Sequence, residues 1–365
     1  MIKTEKRHFP CFIAALYTLT AGIVFIIGFM LLRFPENAGK GVAKGLELCV
    51  NTLIPSMFPF MVLSSFLSGT GLLQRAGRFF APVTERLFGL PGVCGPVIFF
   101  SLTGGLPIGA AMTDELYRKG AITTLQAQRM MFFCINPGPA FVITGVGVNM
   151  LNSEKLGIII YASVVISSLI IGMLSNLVWS DGVIIKSKAS EGEKPAVRQA
   201  LVNSVSSGGV GMLTVCAWVI LFSCLTELIY LFDFSESAKD FICAITEITN
   251  GCKRCSLSYP VPLIAGIIGF SGICAQMQIM SSVVRTGLGL KYFLSARILN
   301  AGLSVMISML LFELFPVSIT TASVGALPES TGRAMSYPIC IGVMLMCFLL
   351  LLGDNYRIRK TIKNI

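Results

Sequence analysis

Charge is what this chain has least of. Only 13% of its 365 residues are Asp, Glu, Lys or Arg, against about 25% in an ordinary soluble protein. Histidine occurs once, at His8, ahead of the first apolar run. That excludes a His-based catalytic or metal centre at membrane depth. No Gly-x-x-x-x-Gly-Lys-[Ser/Thr] stretch is present, so the chain does not drive transport by hydrolysing ATP itself. No nucleophile stands beside a general base in the pattern, and an enzyme is not the expected reading. The 12 cysteines are scattered through apolar runs; in such surroundings Cys serves as a small apolar residue. One close pair, Cys252-Lys253-Arg254-Cys255 with Cys243 nearby, lacks a second pair or a histidine, which is too little for a metal site. No metal and no cofactor are expected.

What remains is apolar: 54% of the residues, with a mean hydropathy of +0.80. Charge-free runs long enough to span a bilayer recur along the chain, which makes it an all-α, polytopic integral membrane protein. The net charge of +10 does not mark a nucleic-acid binder. The Lys and Arg residues sit in loops and at both ends, where a membrane protein uses them to set orientation. Lys3, Lys6 and Arg7 precede the first run, Cys11 to Leu32. That run exceeds the roughly 7–15 residues of a signal-peptide core, so it reads as a retained span. Arg357, Arg359, Lys360 and Lys363 close the chain. Both termini are expected in the cytoplasm.

Several apolar runs are written against a plain helix. Leu87 to Thr113 carries no charge over 27 residues, yet holds Gly104-Gly105, Pro107 and Gly109. Gly frees the backbone and Pro removes a donor, so a helix should break here. Broken backbone at membrane depth survives only against protein or a water-filled cavity. Either a re-entrant hairpin or discontinuous helix forms a solute site here, or small residues pack a kinked helix. Pro55 and Pro59 interrupt Leu48 to Leu67. Gly69 to Leu90 reads as a basic connection, and Asp114 to Arg129 as an amphipathic surface segment. Asn136-Pro137-Gly138-Pro139 breaks Met130 to Ser153; the Asn136 amide either meets a solute or satisfies the freed backbone. Leu156 to Ser180 is a plain span. Asp181 to Gln199 is the most polar stretch and divides the chain.

The second half contains Leu201 to Phe232, then Thr246-Glu247-Ile248-Thr249-Asn250-Gly251 within Asp240 to Ser256. Ser258 to Val284 is charge-free and centred on Gly269-Phe270-Ser271-Gly272-Ile273-Cys274-Ala275-Gln276. Ile298 to Phe315 and Ala334 to Gly353 are the last spans, for about eight to ten membrane segments. The halves resemble each other. Gly104 precedes Ser271, Arg118 precedes Arg285 and Gly120 precedes Gly287, each by 167 residues. Paired broken helices in two related halves point to a transporter site at their interface. The expected organisation is an anchor at 1–43, a first repeat at 44–180, a polar linker at 181–200, a second repeat at 201–353 and a basic tail at 354–365. The count of crossings does not close from sequence. If Ser258 to Val284 is re-entrant, the basic tail falls outside, unless Asp240 to Ser256 also enters the membrane.

The pieces IPSMFPF at 54–60, GGLPIGAAMTDELYRKGAIT at 104–123, NPGPAFVITGVGV at 136–148, EITNG at 247–251 and GFSGICAQMQ at 269–278 resemble a known family. It is that of sporulation integral membrane proteins with a Gate, or nucleoside recognition, domain. Two departures from its pattern stand out: Leu106-Pro107 where the family has Tyr-Pro, and Cys274-Ala275 where a His usually precedes Gln276. The resemblance implies a multi-pass cell-membrane protein of transporter-like fold that acts in endospore formation.

Asn136, Glu247 and Gln276 are the leading candidates for the site, with Gly104, Gly105, Ser271 and Gly272 forming the breaks around it. Glu247 stands out among the acids because polar groups and a helix end surround it. The expected function is a permease for a small polar solute; the alternative is a non-transporting assembly factor for sporulation. Expected partners are the lipid bilayer, the solute, and further copies or other sporulation membrane proteins, with no nucleic acid.

Overall fold

A computed structural model describes residues 9–70, 72–179 and 197–316. The basic N-terminal flank, most of the polar linker, the run Ala334 to Gly353 and the basic tail lie outside the described residues. Among the described residues every element is helical. Five stretches are long and apolar enough to cross a membrane: Pro35–Thr70, Glu154–Val178, Val197–Ile229, Val261–Arg285 and Leu290–Leu314.

Helix α1 (Phe9–Arg33) makes little contact with the rest. Next come α2 (Pro35–Leu48), a π-helical turn (Cys49–Leu53) and α3 (Ile54–Thr70), which continue one another. The wide turn lies just ahead of Pro55, whose missing N–H leaves a carbonyl to be relieved. The second span is thus longer than the run Leu48 to Leu67, and its prolines bend it without ending it. The stretch read as a basic connection is instead a helix, α4 (Leu72–Phe88). Its apolar and basic residues segregate onto opposite faces, as in a helix lying along a membrane surface.

Then the chain folds back. α5 (Cys94–Gly104) and α6 (Leu106–Arg118) pack against each other through a tip at Gly105. A Cβ on Gly109 of α6 would stand 2.7 Å from the Ser101 Cβ of α5, so this is a hairpin. Gly105 has φ 99°, a backbone open only to glycine without strain. α7 (Thr124–Phe133) starts at a Thr123–Gln126 capping box and ends at the Asn-Pro-Gly-Pro break. Beyond it runs a π-helical segment (Ala140–Val148), then the straight α8 (Glu154–Val178). The supposed surface segment 114–129 is buried in part: Asp114, Gln126 and Arg129 are all inside, while Arg118, Lys119 and Thr124 are exposed.

The second half repeats this order. A long α9 (Val197–Ile229) is followed by a hairpin of α10 (Glu236–Thr246) and α11 (Ile248–Ser258), with Glu247 at its tip. α12 (Val261–Phe270) and α13 (Gly272–Arg285) form a broken helix, and α14 (Leu290–Leu314) is straight. The lengths correspond: 11 residues in α5 and α10, 10 in α7 and α12, 25 in α8 and α14. This corrects the register. The counterpart of the Gly105 tip is Glu247, and the counterpart of Ser271–Gly272 is Pro137–Gly138. The 167-residue spacing matched something else. Gly120 and Gly287 both have positive φ and end helices whose last turn carries an arginine. Arg-x-Gly is a shared stop signal. It is not a trace of the repeat.

A hairpin enters and leaves by one side, so each half has three through-running elements: a long helix, a broken helix and a straight helix. The end of α6 lies beside the end of α13, while α7 starts where α6 ends. The two broken helices therefore run in opposite directions, and the repeat is inverted.

Packing between the halves relies on small residues, as expected where lipid gives helices no hydrophobic reason to associate. Gly41 and Gly45 of α2 lie one turn apart and let α9 approach. A Cβ at Gly41 would meet the Cys224 Cα at 2.6 Å, and one at Gly45 the Ile220 Cα at 2.8 Å. Gly39, on another face of the helix, has open space around it. Gly41→Leu is expected to destabilise the fold by about 3 kcal/mol or more, the upper range for overpacking, while Gly39→Leu is close to neutral. Thermal unfolding of the purified protein in detergent, followed for both variants, checks this.

Candidate functional site

The two tips and the two breaks meet. Tip one abuts break one: a Cβ on Gly105 would lie 3.4 Å from the Gly138 backbone N, and one on Gly138 would lie 3.4 Å from the Gly105 backbone N. Tip two abuts break two: a Cβ on Gly272 would lie 3.1 Å from the Ile248 N and 3.5 Å from the Thr246 O. Between them is a cavity of about 60 Å³. Gly105, Leu106 and Pro107 line it from hairpin one, and Pro137 and Gly138 from break one. Glu247, Ile248 and Thr249 line it from hairpin two, and Cys274, Ala275 and Gln278 from α13. Leu53, Met57, Phe141, Val215 and Val219 complete an otherwise apolar wall. Mostly apolar walls with a few placed polar groups are the usual build of a solute site.

Glu247 is the one carboxylate in this wall and is 1% exposed. It sits at the N-cap of α11 in extended backbone, φ −140° and ψ 119°. One carboxylate oxygen accepts from the Thr249 N–H at 2.9 Å and the other from the Asn250 N–H at 2.7 Å. A negative group at a helix N-terminus is favoured by the unpaired N–H groups and the helix dipole. This arrangement lets a lone acid sit inside the membrane region.

Asn136 and Gln276 are placed otherwise. Both are buried and both serve the backbone. Asn136 Nδ2 donates to the Phe133 carbonyl at 2.7 Å, and its Oδ1 accepts from the Ser168 hydroxyl. Gln276 Nε2 donates to the Phe270 carbonyl at 3.0 Å across the second break. Neither lines the cavity. Ser271, in left-handed backbone at φ 72°, turns its hydroxyl to the Ile268 carbonyl at 3.1 Å. Gly104 packs on Phe60 and Ile108, where a Cβ would fall 3.1 and 2.5 Å from side-chain carbons. Of Gly104, Gly105 and Gly272, only Gly105 lines the cavity.

Gln278 does line it. Its amide has only a long contact to the Cys274 sulfur, 3.6 Å. The sequence offered a signal: residues two apart on a helix point about 200° apart, so only one of Gln276 and Gln278 can face the cavity.

Two arginines were missed. Arg129 and Arg297 are both fully buried. Arg129 donates to the Phe88 carbonyl at the end of α4, to Ser175 Oγ at 3.3 Å and to Asn176 Oδ1 at 3.3 Å. Arg297 donates to the Phe132 carbonyl and, at 2.6 Å, to the Ile135 carbonyl, with its guanidinium 5.9 Å from the Phe293 ring. It caps the end of α7, where the break at Pro137 leaves carbonyls without helical partners. Asn300 does the same for α12: its Nδ2 donates to the Gly269 carbonyl at 3.0 Å, and its Oδ1 accepts from Ser167 at 2.7 Å. The break in each half is thus held from the neighbouring straight helices α8 and α14.

Residues 50–175 match the Gate family, described as nucleoside recognition. The resemblance read from the motifs holds. The matched region runs from the π-helical turn before α3 almost to the end of α8, which is the first structural half. The chain is also 24% identical over 336 residues to the sporulation integral membrane protein YlbJ of Bacillus subtilis (strain 168), covering 81% of this chain and 82% of that protein. No solved structure matches the chain.

Arg297→Leu should destabilise the protein by about 3 kcal/mol, because it removes charged donors from two buried carbonyls. Asn136→Ala, which frees one carbonyl, should cost about 1–2 kcal/mol. Thermal unfolding midpoints of the two variants in detergent check the order.

Proposed function

We propose that this chain is a permease for a small polar solute that acts in endospore formation, with the cavity between the two hairpin tips as its solute site. The observation that carries the reading is the convergence of both tips and both breaks on one small space. Unwound backbone and half-helix ends at an inverted-repeat interface are the build of secondary-transporter sites. The sporulation role rests on the likeness to YlbJ and is taken from that protein's name. At about 60 Å³ the cavity has room for little more than waters. The geometry is that of an occluded state, and a solute enters when a tip moves off its break. Glu247, Thr249 and Gln278 are the proposed polar contacts. Asn136, Gln276, Ser271 and Gly272 shape the site as positioning residues.

The same reading closes the topology. With a cytoplasmic N-terminus, α1 crosses outward and α2–α3 crosses back. Arg75, Arg78 and Arg86 of α4, the loop before Thr124 and the linker 181–200 then all fall on the cytoplasmic side. The second hairpin enters from outside, α12–α13 returns inward and α14 goes out. A crossing by the run Ala334 to Gly353, as its apolar sequence suggests, would bring the basic tail back to the cytoplasm. The basic clusters at 75–86, 118–119 and 186–198 thus fall on the cytoplasmic side, as the positive-inside rule favours, while Arg33, Lys155, Lys253 and Arg254 fall on the other.

Glu247→Gln keeps the volume of the side chain, removes its charge and gives up one of the two cap hydrogen bonds, since an amide NH2 cannot accept from an N–H. It is expected to abolish complementation of a sporulation defect at normal membrane abundance, and to stop solute uptake into proteoliposomes once metabolite profiling has named the solute. Full complementation by the Gln variant would remove the charge from the mechanism. For the topology, a cysteine placed at either terminus is expected to resist an impermeant maleimide applied to intact cells; labelling at either end refutes the arrangement.

A further inference from the structure

We propose that Asp114, Arg118 and Arg285 form a latch that shuts the cavity on the side where α6 and α13 end. The inference rests on the transport reading of the cavity but concerns a different place. From the cavity, α6 and α13 run side by side. Leu106 lines the cavity and Asp114 lies eight residues further on, about 12 Å along the helix. Gln278 lines it from α13, and Arg285 lies about 10 Å beyond. Between these levels Ala110, Met112, Ile279 and Val283 are buried in one apolar cluster joining the two helices. No polar path runs through that seal.

At its outer edge is a carboxylate that both helices share. The Asp114 side chain is 5% exposed. One oxygen, buried and without a hydrogen bond, stands in charge contact 3.1 Å from Arg285 Nε on α13, and the other 3.3 Å from Arg118 Nε, one turn along α6. The first ion pair joins the two halves; the second stays within hairpin one. Both arginines are about half exposed, at 50% and 57%. When α6 parts from α13, Arg285 is released into water, where its charge is solvated. Asp114 keeps Arg118, so the carboxylate never stands unpaired in an apolar wall. A buried acid with one movable and one resident counter-ion can be opened without the cost that makes lone buried charges prohibitive. Arg118 therefore lowers the barrier to opening, and Arg285 sets how long the closed state lasts.

Cys274 lines the cavity and is 2% exposed, so its reactivity reports the latch. Membranes containing the full chain are treated with N-ethylmaleimide, and modification at Cys274 is followed in time by peptide mass spectrometry. Cys252, buried in α11 away from the cavity, serves as the internal control. Expected is slow reaction in the parent and a rise of about tenfold in Arg285→Gln, with Cys252 unchanged. Arg118→Gln stays slow, since Arg285 still holds the carboxylate. Unchanged Cys274 reactivity in Arg285→Gln overturns the proposal. So does a rise in Arg118→Gln equal to that in Arg285→Gln, or a parallel rise at Cys252, which would mark general loosening. Where Arg285→Gln accumulates poorly, Asp114→Asn takes its place with the same expected rise. The measurement needs no solute, so it fails or succeeds separately from the transport reading.

Discussion

Backbone freed inside a membrane must find partners within the protein, and this requirement shapes every part of the fold near the cavity. Two hairpins and two broken helices leave carbonyls and N–H groups that no lipid can satisfy. Several are answered by a particular side chain. Arg297 and Asn136 take the last carbonyls of α7; Asn300 and Gln276 take those of α12. Glu247 takes the first N–H groups of α11. Most of the polar residues that stand out in the apolar sequence are accounted for in this way. They permit the breaks, and the breaks create the space.

Those partners sit on rigid supports. α8 and α14, the matching straight helices, carry Ser167, Ser168, Asn300 and Arg297 and pack against each other. The bond from Ser167 to the Asn300 side chain joins the halves at 2.7 Å. On the other flank, α2 and α9 close through Gly41 and Gly45, with Lys44 reaching Glu227 at 2.5 Å. That ion pair is partly exposed and adds little by itself; the backbone approach that the glycines allow sets the distance. The hairpins lie between these supports. Their tips touch the breaks largely through glycine and backbone, at Gly105–Gly138 and at Glu247–Gly272. Contacts of that kind separate without stripping large side chains from their pockets.

The membrane class, the broken character of 99–112 and 136–141, and the existence of two halves were legible in the sequence, because Gly and Pro clustered at membrane depth interrupt helices and little else in an apolar run does. The second hairpin was legible only as a condition, the entry of Asp240 to Ser256 into the membrane that would keep the basic tail inside. The turn at Glu247 contains no Gly or Pro. It is made by a carboxylate capping the helix that follows, a signal that reads equally well as an ordinary helix start within a polar loop. Missing that hairpin shifted the repeat by one element, and helix stop signals at Arg118–Gly120 and Arg285–Gly287 made the wrong register look regular. Asn136 and Gln276 mark a further limit. A polar residue beside a break is required whether it faces solute or backbone, so composition cannot tell the two apart. The buried arginines escaped notice because charge in a membrane protein is read first as loop and orientation.

The two tips are equivalent in position and opposite in chemistry. Gly105 offers no side chain, and its φ of 99° leaves no room for another residue to acquire one cheaply. Glu247 offers a carboxylate with about four lone-pair sites, of which the α11 backbone uses two. The remaining two belong to groups already fixed in place, at the wall of a cavity that is otherwise nearly apolar. A solute or ion that reaches this wall meets a preorganised acceptor on one side and bare backbone on the other. Because the cap holds the carboxylate whether or not the cavity is filled, binding costs no rearrangement of Glu247. Moving hairpin two carries the acceptor with it. In the proposed permease reading, recognition and motion are thus joined in a single residue in the second half, while the first half supplies a tip that only has to fit.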